Sequence, residues 1–240
     1  MKKSVLGMMA AVALASLPAV SYAQLAFNVG ATTDYRYRGI SQSRVKPALQ
    51  GGVDYAAGAF YVGAWASTIK WIKDFGGDAK LEIDLYGGYK GDIIKDALTF
   101  DVGALTYQYP SNKLAPSANT TELYGALTYG PATVKYSHAV SNTFGAPDSK
   151  NSYYLEASAG FDVGAGITLT PHLGYQKISG PAASVATYTD YSLAVSKDFS
   201  GLVVSATIVG TDADKGFYSS PVNGKELGKA GLVLAVKYNF

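Results

Sequence analysis

The sequence predicts an all-β protein, a transmembrane antiparallel β-barrel of twelve strands. Three observations predict it. Apolar and polar residues alternate with period 2 in segment after segment. The connections between these segments alternate between short and long. Every second segment ends on an aromatic residue.

Twelve candidate strands lie at roughly 25–35, 47–55, 59–67, 79–89, 97–109, 120–129, 132–140, 152–162, 166–177, 187–199, 202–211 and 230–240. An even count suits a bacterial single-chain barrel with both ends of the chain on one side. In the fourth strand Leu81, Ile83, Leu85 and Tyr89 point one way, and Glu82, Asp84 and Tyr86 the other. The sixth sets Leu123 and Leu127 against Glu122 and Thr128. The eighth sets Tyr153, Leu155 and Phe161 against Glu156 and Ser158, and the tenth sets Tyr191, Leu193 and Val195 against Asp190, Ser192 and Ser196. The last strand carries Leu232, Leu234, Val236 and Tyr238 on one face and ends on Phe240. A strand left as an open edge in hydrocarbon leaves backbone groups unpaired, so pairing of this strand with the first one is expected to close the barrel. A basic charge on the lipid face costs about 2–4 kcal/mol at midplane, so the polar faces are expected to line the lumen.

The short connections are Ala56 to Gly58, Gly130-Pro131, Asp162 to Ala165 and Ser200-Gly201, with a longer turn from Lys90 to Asp96. The long ones are polar and span 36–46, 68–78, 110–119, 141–151, 178–186 and 212–229. Tyr55, Tyr89, Tyr129, Phe161, Phe199 and Phe240 stand at the six strand ends on the short-turn side. They form the expected periplasmic girdle, because aromatic rings favour the headgroup boundary.

Met1-Lys-Lys, an apolar run from Ser4 to Ala19 and the small-residue site Ser21-Tyr-Ala23 read as a cleaved secretory signal peptide over residues 1–23, leaving 24–240 as one barrel domain. Its removal takes away Lys2 and Lys3 and leaves 18 basic against 18 acidic residues. No basic excess points to nucleic acid. Cysteine is absent, so disulfides do not hold the fold. The expected location is the outer membrane of a Gram-negative bacterium. The expected partners are its lipid and lipopolysaccharide, the barrel-assembly machinery through the C-terminal strand, and small polar solutes.

Candidate pore-lining residues are Asp34, Arg36, Arg38, Glu82, Asp84, Glu122, Lys135, Glu156, Asp190 and Lys237. Asp54, Lys80 and Asp101 share their inward phase. All three arginines, Arg36, Arg38 and Arg44, fall in one short stretch. Guanidinium groups there would bind carboxylate or phosphate in a constriction, with Arg36 and Arg38 opposing Glu82 and Asp84, or would pair with lumen carboxylates as packing. Twelve strands give a barrel roughly 24 Å across, which leaves a narrow channel that crossing ion pairs would shut. Catalysis is not expected: His138 and the adjoining Ser137 point to opposite faces of one strand, and His172 faces inward. Asp212-Ala-Asp214-Lys-Gly216 lacks the bidentate acid of a calcium loop, with Asn223 in its place. No metal or cofactor is expected.

Asp34-Tyr-Arg-Tyr-Arg-Gly-Ile-Ser-Gln42, Pro47-Ala-Leu-Gln-Gly-Gly-Val-Asp-Tyr55, Phe60-Tyr-Val-Gly-Ala-Trp-Ala-Ser67 and Leu81-Glu-Ile-Asp-Leu-Tyr-Gly-Gly-Tyr89 together resemble the TorF family. Members of that family are called porins from their barrel character. The resemblance implies a channel and assigns no substrate site. The expected function is passive diffusion of ions or small polar solutes; the alternative is a non-conducting barrel with a surface-binding or envelope-structural role.

Overall fold

The computed structural model describes residues 24–240. The expected signal peptide, residues 1–23, lies outside the described residues. The described chain is a closed antiparallel barrel of twelve staves. Its strands are β1 (Gln24–Thr32), β4 (Ala48–Ala57), β5 (Phe60–Thr68), β6 (Leu81–Ile94), β7 (Leu98–Gln108), β8 (Thr120–Tyr129), β9 (Ala132–Ala139), β10 (Tyr153–Ala159), β12 (Ile167–Lys177), β13 (Tyr188–Phe199), β14 (Leu202–Thr211) and β15 (Gly231–Asn239). The short β11 (Phe161–Asp162) continues the stave of β10 past Gly160 and also pairs with β12. Two short strands, β2 (Arg36–Tyr37) and β3 (Ile40–Ser41), form a separate hairpin inside the first long loop. Single helical turns, α1 (Trp71–Asp74) and α2 (Ala183–Ala186), sit in two other loops.

Each stave pairs with its sequence neighbour, and β1 closes the ring on β15, with Asn28 opposite Asn239 and Thr32 opposite Ala235. Beyond that ladder the Phe27 and Phe240 backbones exchange N–H to carbonyl bonds of 2.8 and 3.0 Å, and their rings stack. The fourth strand runs further than expected. It continues through Lys90 to Ile94, with a bulge between Asp92 and Ile94, so the turn shrinks to 95–97. Asp96 takes a positive φ there, which Asp tolerates better than most side chains.

Alternation places the faces. Leu25, Val62, Leu85, Leu123, Leu155, Leu193 and Leu234 are exposed on the outside. Buried inside are Glu82, Asp84, Glu122 and Asp190. The girdle candidates Tyr55, Tyr89, Tyr129, Phe161, Phe199 and Phe240 are all exposed, at the short-turn end.

The two sides of the interior differ. From β5 to β8, inward tyrosines lie across glycines of neighbouring strands: a Cβ on Gly63 would fall 2.5 Å from the Tyr86 ring, one on Gly88 2.4 Å from the Tyr61 hydroxyl, and one on Gly103 2.5 Å from the Tyr124 hydroxyl. The missing side chains let the rings lie flat against the wall. From β12 to β15 the inward residues Thr168, Thr170, Ala194, Ser196, Ser205, Thr207 and Ala235 are small, while His172, Gln176, Tyr188, Asp190 and Lys237 on the same face are not.

Candidate functional site: the lumen and its inward-folded hairpin

The first long loop does not stay outside. Tyr35, Gly39, Ile40, Ser41, Gln42 and Ser43 are buried in the mouth of the barrel. The local cause is a two-residue reversal, Arg38-Gly39, with φ of 46° and 78°. Positive φ at both central positions is the type I′ pattern that matches the twist of paired strands. Arg36 then faces Ser41, and Tyr37 faces Ile40. A Cβ on Gly39 would sit 2.4 Å from Thr211 Cγ2 and 2.8 Å from Asp190 Cβ, so glycine is required for space as well as backbone.

Asp34 anchors the base of the hairpin. Its carboxylate accepts hydrogen bonds from Ser41, from Ser43 at 3.0 Å and from Arg36 Nε. Arg36 also donates to the carbonyls of Gly39, Leu227 and Lys229, tying the hairpin to the last long loop. Ile40 packs with Tyr188 and Leu227. Tyr35 donates to Glu82 and sets its ring edge against Trp65. Tyr37 donates to the Tyr107 hydroxyl at 2.6 Å and packs its ring against Tyr107 and Phe144.

Arg38 stands at the tip. Its two terminal nitrogens donate to both oxygens of Glu122, at 3.0 and 2.7 Å, and Nη1 also donates to Gln176 Oε1 at 2.6 Å. Gln176 is turned for this by its own amide donating to the Tyr153 carbonyl. The guanidinium lies 4.2 Å above the Tyr154 ring centroid and 4.8 Å from that of Tyr37. Glu122, Tyr154 and Gln176 belong to β8, β10 and β12, across the ring from the β1–β4 connection that carries the hairpin. The hairpin therefore spans the lumen.

The expected opposition of Arg36 and Arg38 to Glu82 and Asp84 is corrected. Arg36 pairs with Asp34 and Arg38 with Glu122. The reason is reach: the reversal at Arg38-Gly39 carries the tip past β6 to the far wall. Arg44 pairs with Asp74 on α1, which also accepts from Ser220, and this joins three outer loops. Lys80 is exposed in the loop before β6 and does not line the lumen.

Deeper groups form separate networks. Glu156 and Asp190 flank His172, at 3.2 and 3.5 Å, and Tyr154 donates to Asp190 at 2.8 Å. Tyr61 donates to Asp101 and meets the Tyr124 hydroxyl. Lys135 lies 4.4 Å from the Tyr124 ring centroid. Tyr86 donates to Asp54, and Lys237 of β15 lies within the electrostatic reach of the same carboxylate. His138 sits on the outer face, bonded to Tyr136 and Asn151. Outside the barrel wall, Lys113 holds the exposed Asp78 carboxyl below its ordinary range, and burial pushes the Tyr218 hydroxyl up. Asp212 and Asp214 accept from the backbone N–H groups of Thr189 and Phe217, the ordinary work of turn carboxylates. Among the described residues no three His, Asp or Glu side chains converge to hold a metal.

Sequence reasoning missed Tyr35, Tyr37, Tyr107, Tyr154 and Gln176 as lumen contacts. Tyr154 and Gln176 share the inward phase of Glu156 and His172, and that signal would have found them.

A bacterial family model, Gcw_chp, described as a bacterial protein of unknown function, matches residues 17–240. No curated protein matches the sequence. Among solved structures, the NanC porin aligns over 90% of this chain and 99% of its own, with a TM-score of 0.55 and 10% identity. LpxR from Salmonella typhimurium aligns over 90% and 99%, with a TM-score of 0.46 and 9% identity. The outer membrane protein opdK from Pseudomonas aeruginosa aligns over 93% and 67%, with a TM-score of 0.41 and 12% identity. At such identities the likeness to NanC establishes the barrel fold, and the weaker two carry no argument.

Proposed function

The chain belongs to the Gcw_chp family, and for this member we propose an outer-membrane, porin-like barrel whose passage for ions or small polar solutes is held shut by the first-loop hairpin. The observation that carries the reading is the Arg38 fork, which fastens the hairpin tip to Glu122 and Gln176 on the far wall.

The membrane part rests on the inverted interior. A belt of exposed Leu, Val, Phe and Tyr surrounds buried carboxylates. Water would penalise so large an apolar surface, whereas lipid accepts it, and closure leaves no strand edge to satisfy. Ten of the twelve staves have nine residues or more, long enough to cross when tilted, and β10 is carried on by β11. In this orientation the short turns are periplasmic, and the girdle residues meet the headgroups. Residues 1–23 act as the cleaved signal peptide, and the C-terminal strand is the handle for the barrel-assembly machinery. Lipopolysaccharide surrounds the outer rim. The TorF resemblance adds the same channel assignment.

The lumen part rests on the difference between its walls. Tyr61, Tyr86 and Tyr124 crowd the side from β5 to β8, so the path runs beside the small Ala194, Ser196, Ser205 and Thr207 of β13 and β14. The second reading, a non-conducting envelope barrel, is favoured by the same buried hairpin contacts if they never release. Planar-bilayer recording decides. The refolded protein should show rare or small current steps, and replacing residues 35–43 by a short Gly-Ser link should raise unitary conductance severalfold. A correctly inserted barrel that stays silent with the hairpin removed would discard the channel and leave the structural role.

A further inference from the structure

The lipid-facing surface is uneven at its long-loop end. At the short-turn end an aromatic residue stands on every second stave around the ring. At the long-loop end the outward strand aromatics gather on β9, β10, β12 and β13, as Tyr136, Tyr153, Tyr175 and Tyr191. Elsewhere the outward residues nearest that end are Leu49, Thr68, Leu81, Thr106, Ile208 and Leu232. A belt owed only to the headgroup preference of aromatic rings would run round the whole rim. One sector is therefore built differently.

Strand register sets out this sector in rows. His138, Tyr153 and Lys177 stand side by side on β9, β10 and β12. Tyr136, Leu155 and Tyr175 form the next row, and Val134, Ala157 and Leu173 the one after. At about 3.4 Å per residue, each row lies roughly 7 Å deeper than the last. The Tyr153 ring centroid is 5.5 Å from that of Tyr136 and 6.2 Å from that of Tyr175. The His138 ring nitrogens meet the Tyr136 hydroxyl at 3.0 Å and Asn151 Oδ1 at 3.3 Å. Ala157 is the small member of its row, and a groove of about 210 Å³ opens there between Val134, Leu155, Leu173 and Tyr175. Lys177 stands above the groove, and Lys150 is exposed in the loop that leads into β10. Asp148 is the one acid in the two loops of this sector, 140–152 and 178–187.

We propose that this sector binds one phosphorylated, acylated glycolipid of the outer leaflet, the lipid end of lipopolysaccharide, with Lys177 and Lys150 on its phosphates and the Ala157 groove under an acyl chain. The site rests on the outer-membrane orientation proposed for the barrel. The order of chemistry down the face matches such a lipid: ammonium groups, then phenol rings at the headgroup boundary, then an apolar groove. An uncharged lipid would use the groove and leave the lysines idle. A second copy of the chain fits less well. Two barrels meeting about an axis along the membrane normal would set this face against itself at one height, lysine row to lysine row. The site stands whether or not the barrel conducts.

The test is native mass spectrometry of the refolded full barrel in detergent, titrated with lipid A that carries both phosphates. The expected result is one saturable lipid per barrel, with dephosphorylated lipid A and phosphatidylcholine bound far more weakly. Lys150→Ala with Lys177→Ala should weaken binding about thirtyfold, the weight of two lysines beside an anionic leaflet. Ala157→Leu fills the groove and leaves both lysines, and should weaken binding severalfold. Lys46→Ala with Lys80→Ala, a pair exposed on the opposite sector, should leave it unchanged. Equal loss in that control pair, or unsaturated binding of many lipids that no variant alters, overturns the site and leaves ordinary lipid solvation. A barrel dimer that excludes lipid A and is broken by Ala157→Leu also overturns it and gives the face to a second copy. Membrane insertion is scored separately, by proteolysis of the long loops in vesicles. A barrel that inserts yet binds no lipid A saturably loses this site alone, whereas one that fails to insert loses the membrane reading and the site with it.

Discussion

The wall from β5 to β8 and the wall from β12 to β15 are written in the same alternation, yet their interiors differ in how far down the barrel the bulky side chains reach. One presents Tyr61, Tyr86, Tyr107 and Tyr124 with the acids Glu82, Asp84, Asp101 and Glu122. The other carries His172, Gln176, Tyr188 and Asp190 toward the long-loop end and the small Thr168, Thr170, Ala194, Ser196 and Ser205 toward the short-turn end. Period 2 decides which residues face inward; their volume decides whether the inside is packing or space. The hairpin tip ties the bulky wall to the one opposite, through Glu122 on β8 and Gln176 on β12.

Breaking that link should have the largest effect. Arg38→Ala strands a buried carboxylate, and losing one partner of a buried pair typically costs about 3–5 kcal/mol. The expected outcome is a clear fall in denaturation midpoint together with more frequent current steps. Arg38→Lys should restore little of either, because an ammonium cannot make the two-toothed contact. Unchanged gating in Arg38→Ala would separate the hairpin from the control of passage.

The contrast of the walls is sharpened by Ala194→Trp. Placed in the hairpin-deleted barrel, it should cut conductance severalfold, whereas Tyr124→Trp on the opposite wall should change it little. Equal effects would mean that the two sides do not differ as a path. A smaller effect is expected from Gly63→Ala. Its Cβ meets the Tyr86 ring at 2.5 Å, so the ring must lift, at about 1–3 kcal/mol of overpacking in a denaturant titration.

Lys113→Ala should be the smallest, since Lys113 and Asp78 are exposed outside both walls. The Asp78 carboxyl is held low by its bond to Lys113. A lowered carboxyl contributes stability above its unfolded titration range and loses it as pH falls through the folded one. For so exposed a group the loss should escape detection in a melt, whereas NMR titration should show the Asp78 carboxyl moving up.

The staves were legible in the sequence because both faces of each strand are local facts. Leu81, Ile83 and Leu85 against Glu82 and Asp84 need no distant partner to be read. The course of residues 34–43 was not legible in the same way. Asp34-Tyr-Arg-Tyr-Arg-Gly reads as a polar outer loop, and its inward turn depends on Glu122, Gln176 and Leu227, all remote in the chain. Arg38-Gly39 between alternating Tyr37 and Ile40 was a faint hairpin signal. Likewise Gly160, which breaks the stave between β10 and β11, shows no outward sign beyond being glycine.

The seam between β1 and β15 has a kinetic consequence. Leu234 N–H donates to Thr33 Oγ1 across 201 positions of chain, while the other neighbouring staves are joined by a turn or a single loop. Closing so long a loop is entropically slow, and it is rewarded only once both strands are in place. The eleven sequence-adjacent pairings can therefore form first, as an open curved sheet, and the seam zips last. The amide protons of Phe27 and Thr33, which donate to the Phe240 and Leu234 carbonyls across the seam, should then be the last to gain protection in a pulse-labelled refolding.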